Sequence, residues 1–272
     1  MEENRNYGWI AVLIVVVALA AAAYLFYSRK GEKPPEAKLF EVPKKEEAIP
    51  EPKPELEEPA PAEPAPAPAE PERELPPLDE SDGPVLKDLR SLAPGDALSR
   101  WLVSDEVIRK WVAAVNTASQ GQLIHKHRPF KNIRGSIAVS EEGATGMVLS
   151  EENYHRYDVP VRLFAQMDTD TAVKLYRFWY PRLAQAYGEL GIRNKTFHQV
   201  LLQAIDRVLE APQVEQPIQL VRPSVYYKFA DPKLEKLPGL HKLMIRIGPD
   251  HAERVKEKLR ELKSELQSLQ MD

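Results

Sequence analysis

The chain has 272 residues, 43% hydrophobic, 29% charged and 8% aromatic, with 25 prolines and no cysteine. Without cysteine there is no disulfide scaffold, thiolate zinc site, cysteine nucleophile or lipid-modified cysteine anchor. The formal charge of −4 is a sum of unlike parts: +1 over residues 1–30, −9 over residues 31–80 and +4 over residues 81–272, with 14 of the prolines in the middle part.

Residues 10–26 are 17 consecutive uncharged, mostly aliphatic residues, and counting out to Tyr7 and Tyr27 the segment reaches 21. As a helix rising ~1.5 Å per residue it spans about 30 Å, the thickness of a bilayer's hydrocarbon core. Tyr7 and Trp9 at one end, and Tyr24 and Tyr27 at the other, fall where interfacial aromatics are favoured, and Arg29 and Lys30 stop the run. The alanines at 20–23 also allow a cleaved signal peptide, but Leu25, Phe26 and Tyr27 carry the apolar run past that site. Residues 1–30 are therefore read as an N-terminal tail and a retained single-pass transmembrane helix. Arg29, Lys30 and Lys33 outnumber Arg5 plus the free amino terminus, which by the positive-inside rule puts the rest of the chain in the cytoplasm. The segment that follows resembles instead the Pro/Ala/Glu stalks of bacterial proteins that cross the periplasm from an inner-membrane anchor. The expectation adopted is an inner-membrane protein with a periplasmic C-terminal domain, with the charge rule standing against it.

Residues 31–74 form a Pro/Ala/Glu-rich linker, densest over residues 61–71. Proline there stops any helix, and few bulky apolar groups plus like-charge repulsion prevent a core. The expectation is a disordered, polyproline-II-biased stalk, which at ~3.1 Å per residue reaches up to about 150 Å over fifty residues.

Residues 75–272 have the apolar periodicity of a globular domain. Ser104 is placed to cap a helix carrying Val107, Trp111 and Val115 on one face, with Ile108 and Val112 beside them. Asp168 or Asp170 can cap a long helix carrying Leu175, Phe178, Trp179, Leu183 and Ala186; Pro181 predicts a kink near Arg177, and Gly188 or Gly191 the end. Thr196 opens a helix striped with Phe197, Val200, Leu201, Ile205, Val208 and Leu209 and stopped before Pro212. Pro249 and Asp250 start the last, where Val255, Leu259, Leu262, Leu266 and Leu269 recur at 4-3-4-3 spacing. Residues 136–140 and 147–149, around Gly143 and Gly146, predict a hairpin, and residues 218–221 and 225–229, around Pro223, read as extended. The fold class expected is mostly α with small β hairpin elements.

Several motifs then occur in order: Leu75-Pro76-Pro77-Leu78-Asp79-Glu80-Ser81-Asp82, Tyr180-Pro181-Arg182-Leu183, Ala186-Tyr187-Gly188-Glu189-Leu190-Gly191, Phe229-Ala230-Asp231-Pro232 and Met244-Ile245-Arg246-Ile247-Gly248-Pro249. With the anchor and stalk they resemble the bacterial domain-of-unknown-function family 3014, over roughly residues 75–266. The chain has Val115-Asn116-Thr117-Ala118 where the resemblance leads one to expect Val-Asp-Asn-Leu, and His241-Lys242 where Gln-Lys is usual, so no role can rest on an acid at position 116. The resemblance implies an α-rich, membrane-anchored domain and carries no activity.

The strongest polar cluster is His125, Lys126, His127 and Arg128, continuing through Lys131 to Arg134. Four permanent cations and two histidines in ten residues can bind an anion by charge-assisted hydrogen bonds. The candidates are phospholipid headgroups, an acidic envelope polymer, or the chain's own acidic stalk; a solvated loop is the plainer alternative. A domain of +4 on a membrane anchor gives no expectation of nucleic acid. His125 and His127 lack a third ligand and sit among cations, so no metal and no cofactor is expected. Asp168-Thr169-Asp170 matches an acid-x-acid metal-nucleotide pattern, but helix capping explains it equally. Glu141 and Glu142 flank a glycine turn without the buried neighbours that acid–base work needs. Tyr176, Trp179, Tyr180 and Tyr187 can line a sugar-binding groove or, more commonly, fill a core. Of the adjacent Tyr226 and Tyr227, a strand must turn one outward. The leucine seam of the last helix spans two heptads, fitting docking on its own domain better than dimerisation, and leaves the oligomeric state open. The leading expectation is a non-enzymatic envelope protein binding an envelope partner or anionic polymer. The alternatives are an enzyme acting on cell-wall or lipid-linked sugars and a purely structural subunit of a membrane complex.

Overall fold

A computed structural model describes residues 73–90, 101–133, 135–141 and 146–271. The expected transmembrane helix, nearly all of the expected linker, and Arg134, Glu142 and Gly143 lie outside the described residues. Among the described residues no helix is long and apolar enough to cross a membrane.

A turn of 3-10 helix at Leu78–Glu80 leads into α1 (Asp82–Arg90). Then follow α2 (Val107–Ser119), β1 (Val139–Ser140), β2 (Val148–Leu149), α3 (Glu152–His155), α4 (Asp158–Ala165), α5 (Thr169–Glu189) and α6 (Phe197–Leu209). The chain closes with β3 (Leu220–Val221), β4 (Lys228–Phe229), α7 (Pro232–Glu235), α8 (Gly239–Arg246) and α9 (Pro249–Gln267). The domain is mostly helical with two small two-stranded hairpins.

The local signals for the long helices mostly hold. Asp168 caps α5 by accepting from the Thr171 amide at 2.9 Å. Thr196 and Gln199 make a reciprocal capping box at the start of α6, satisfying two donors the first turn leaves over. One expectation fails. Ser104 does not cap α2: its N-cap is Glu106, held in the left-handed region at φ 48°. The amides of Glu106 and Val107 donate instead to the two carboxylate oxygens of Asp82, at 2.7 and 2.8 Å, so the cap arrives from another helix. α5 runs through Pro181 to Glu189, so the proline sits inside the helix without ending it. Both Pro181 and Arg177 lie on the exposed face, where water can serve the carbonyl that the proline leaves unbonded. Gly191, at φ 75°, ends that helix in the conformation glycine adopts without cost.

α6 lies at the centre, packed against α2, α5, α8 and α9. Its Ile205, with Val112 of α2, Phe164 of α4 and Leu240 of α8, is fully sequestered, and each such side chain contributes about 1.5–3 kcal/mol by leaving water. Val255, Leu259, Leu262 and Leu266 of α9 are all buried in this cluster, so the leucine seam docks on its own domain. The chain turns from α8 into α9 at Gly248 (φ 93°), where a Cβ would sit 2.7 Å from the ring of Tyr154, so only glycine fits.

A second, smaller cluster gathers Leu149, Ile218, Leu220, Phe229 and Ile245. β1 and β2 pair antiparallel with Val139 opposite Leu149, and β3 and β4 with Leu220 opposite Phe229. A bridge between Val148 and Gln219 joins the hairpins, through Leu149 N to Ile218 O and Leu220 N to Met147 O, each 2.9 Å. Asn153, wholly buried, ties this corner together. Its amide donates to the Arg246 carbonyl at 2.8 Å, and its oxygen accepts from the Ala138 amide and from Arg156.

Candidate functional site

The basic segment leaves the end of α2 through Gly121 (φ 74°) and returns to the body at Pro129 and Phe130, both buried. Its exit is fixed by the bridge between Phe130 and Leu102, with the Val103 amide donating to Pro129 O at 3.0 Å and the Lys131 amide to Trp101 O at 2.7 Å. Between those anchors His125, Lys126 and His127 are exposed, as is Lys131 just beyond them. His127 takes a left-handed backbone at φ 53°, which helps turn the segment outward. The side chains of Lys126 and Lys131 make no hydrogen bond or ion pair with another described residue.

The six-residue set does not present itself evenly. Arg128 is half-buried, its guanidinium donating to the side chain of Asn132, and burial pulls its pKa down. Arg134 lies outside the described residues. An acid also stands close: Asp105, hydrogen-bonded to the buried Lys110, is held below its ordinary range chiefly by that bond, with His127 a minor influence. Among the described residues of this set the exposed permanent cations are Lys126 and Lys131, flanked by two imidazoles and with the Asp105 carboxylate close by.

The other candidates turn out to have structural work. In Asp168-Thr169-Asp170, Asp168 caps α5, and the Thr169 hydroxyl donates to Glu261 of α9. Lys258 completes that join by donating to Met167 O at 2.8 Å and to Glu261 at 2.6 Å. Burial raises the Glu261 carboxyl, but the bonds from Lys258 and Thr169 outweigh it and hold the pKa down. Tyr176, Trp179, Tyr180 and Tyr187 are all buried in the main cluster and do not come together along one groove; Trp179 alone of them reaches the apolar cleft between α1, α2 and α5. The Trp179 indole donates to Asp88 at 2.9 Å, and the Tyr176 hydroxyl meets His198 Nδ1 at 3.0 Å. Burial pushes the Tyr176 hydroxyl well above its ordinary pKa and the His198 imidazole below its own. Glu141 is exposed. Tyr226 and Tyr227 lie in the loop before β4 and not in a strand, so strand alternation does not govern them; Tyr227 packs against the second cluster and Tyr226 stands outward, 39% exposed.

A small, narrow cleft lies between α1, α2 and α5, walled by Val85, Leu89, Ile108, Trp111, Leu175 and Trp179. Its walls are carbon, and the one buried indole N–H there without a partner among described residues, that of Trp111, has no acid or base beside it to make a reacting centre. A second cleft is lined by Gln213, Glu253 and Lys256, but the Lys256 ammonium already donates to Ala211 O at 2.6 Å. Among the described residues no group of three or more His, Asp or Glu side chains is placed to hold a metal ion.

A family model described as protein of unknown function (DUF3014) matches residues 107–263, from the first residue of α2 into the last turns of α9. The chain belongs to this family. The DUF3014 match takes in the second cluster, the basic segment and the main cluster except its contributions from Leu78 to Leu102 and Leu266, and begins after the Leu75–Asp82 motif, so the resemblance read from the sequence started earlier than the matched span. Comparison with curated proteins and with solved structures finds no match.

Proposed function

We propose that this is a non-enzymatic, membrane-anchored envelope protein whose helical body binds an acidic partner, either an envelope protein or an anionic polymer, through the segment from His125 to Lys131. One observation carries the reading. The side chains of Lys126 and Lys131 stand in water, bonded to no other described residue, on a segment whose backbone is tied down at Pro129 and Lys131, whereas the Lys110, Lys256 and Lys258 ammonium groups elsewhere are committed to internal bonds. A cation kept in water on a fixed backbone binds an anion with little ordering cost. The anchor is the apolar stretch of residues 10–26 and the reach is the proline-rich segment after it. The body is proposed to face the periplasm from the inner membrane.

The test uses the full chain in cells, with a photo-crosslinking residue at position 126 or 131. A discrete adduct that disappears in a Lys126→Glu/Lys131→Glu background supports the proposal. The absence of an adduct at both positions, together with unchanged binding of the detergent-solubilised chain to polyglutamate after the same double reversal, refutes it. An alkaline phosphatase fusion after Asp272 is expected to be active; an inactive fusion places the body on the cytoplasmic side.

A further inference from the structure

The loop joining β3 to β4 combines ordinary turn residues with exposed apolar ones. Turns favour Gly, Pro, Asn, Asp and Ser; Pro223 and Ser224 fit that pattern, whereas Val225, Tyr226 and Tyr227, set between Arg222 and the first residue of β4, Lys228, do not. Val225 at its apex is 72% exposed and Tyr226 beside it 39%, the one adjacent pair among the exposed large hydrophobic side chains of the described residues. A single exposed apolar residue needs no explanation. Here the types are layered: an aliphatic side chain at the apex, two tyrosines below it, and the exposed Arg222 and Lys228 at the base. No Asp or Glu occurs in residues 216–230.

The tip is also held in shape. Below it Leu220 pairs with Phe229 and Val221 with Lys228, and both Leu220 and Phe229 are buried in the second cluster. The Phe229 amide donates to Glu235 at 3.0 Å, and the Arg222 guanidinium lies over the Tyr227 ring, 5.3 Å from its centroid. Pro223 fixes one further backbone angle. An ordered projection spends little conformational entropy on contact.

We infer that the β3–β4 tip is a contact site for an anionic phospholipid bilayer, with Val225 entering the acyl boundary, Tyr226 and Tyr227 at the headgroup level and Arg222 and Lys228 on lipid phosphates. Each layer matches a zone of the interface: aliphatic groups prefer hydrocarbon, amphipathic rings the headgroup belt, and long cations the phosphates. A protein partner would account for the apolar apex, but not for paired cations in an acid-free segment as directly as a lipid phosphate plane does. The site is separate from the segment at His125–Lys131, and it draws on the membrane-anchored reading only to bring the body near a bilayer.

The chain has no cysteine, so one introduced thiol reports a single place. Full-length Ser224→Cys, carrying an environment-sensitive dye, is reconstituted into vesicles of phosphatidylcholine alone or of equal parts phosphatidylcholine and phosphatidylglycerol. Val159→Cys, on α4, is the control position. The expected result is a blue shift at position 224 in anionic vesicles with quenching by lipids that carry a nitroxide near the glycerol backbone, and a water-like dye at position 159. Quenching is expected to vanish with Val225→Asp/Tyr226→Asp. At about fivefold in surface partition per cation, it falls at least tenfold with Arg222→Glu/Lys228→Glu. The inference is overturned if the dye at 224 stays water-like in anionic vesicles with which the chain floats, if the shift at 159 is equal, or if the shift arises only on adding a second protein. A chain that fails to float with neutral vesicles refutes the anchor, while the anionic arm still reads the tip.

Discussion

In the helical cluster the individual helices are specified largely by near neighbours in the chain, and distant ones then pack together. Thr196 and Gln199 start α6 three residues apart, and the apolar stripe of α6 recurs every third or fourth residue. In the hairpin cluster the strands are two residues long, too short to hold themselves. There a few polar side chains join distant segments: Asn153 reaches Ala138 and Arg246, and Glu235 accepts from the Phe229 amide and from Lys242 at 3.1 Å. One region is secured by repetition and the other by particular side chains.

That contrast can be broken or sharpened by four tests. Ile205→Ala, which truncates a fully buried side chain at the centre of α6, is expected to cost about 3–4 kcal/mol in denaturant unfolding of the whole domain. A loss below about 1 kcal/mol would show that the helical cluster collapses around the gap. Asn153→Ala is expected to cost about 2–3 kcal/mol, and hydrogen exchange should show the loss concentrated at residues 138–140, 147–149 and 218–220. Uniform loss across α2 and α6 would make the two clusters one cooperative unit. Asp82→Ala should cost about 1–2 kcal/mol by uncapping α2, against less than about 0.5 for Ser104→Ala. The reverse order, read from the same denaturation curves, would restore the local cap.

The fourth effect is the smallest and depends on pH. Burial sets the folded-state pKa of His198 below the ordinary 6.5. As pH falls, the unfolded chain takes up that proton first. The His198 contribution is therefore intact above pH 6.5 and is lost as pH drops through the interval down to its folded-state value. His198→Phe should make the fall in stability between about pH 7.5 and 5.5 shallower. An identical fall in the variant would assign it to other groups.

The four longest helices could be read from the chain because periodicity and caps are local properties. Thr196, Asp168 and Pro249 mark the starts of α6, α5 and α9 as expected. The α2 cap could not be read, since Asp82 lies 24 residues before Glu106 and no local pattern links them. α4 and α8 were passed over, although Leu240, Leu243, Met244 and Ile247 carry the one-face spacing of a buried helix. α3 and α7, four residues each, are too short to show a period. For the candidate site, sequence identified the basic residues but not their unequal exposure. The withdrawal of Arg128 depends on Asn132 and on how deeply Phe130 is seated. Asn153 and Glu235 had no sequence signal, because a buried amide or carboxylate looks like any surface residue until its distant partner is placed.

The folded body is also fastened at its beginning. The Arg182 guanidinium in α5 donates to Pro76 O at 2.6 Å and Leu75 O at 3.3 Å, and Arg109 of α2 joins Asp79 at 2.7 Å and Glu189 at 2.6 Å. A tug arriving from the N-terminal side is thus met by two guanidinium clasps, with the buried Leu78 and the Asp82 bonds to α2 behind them.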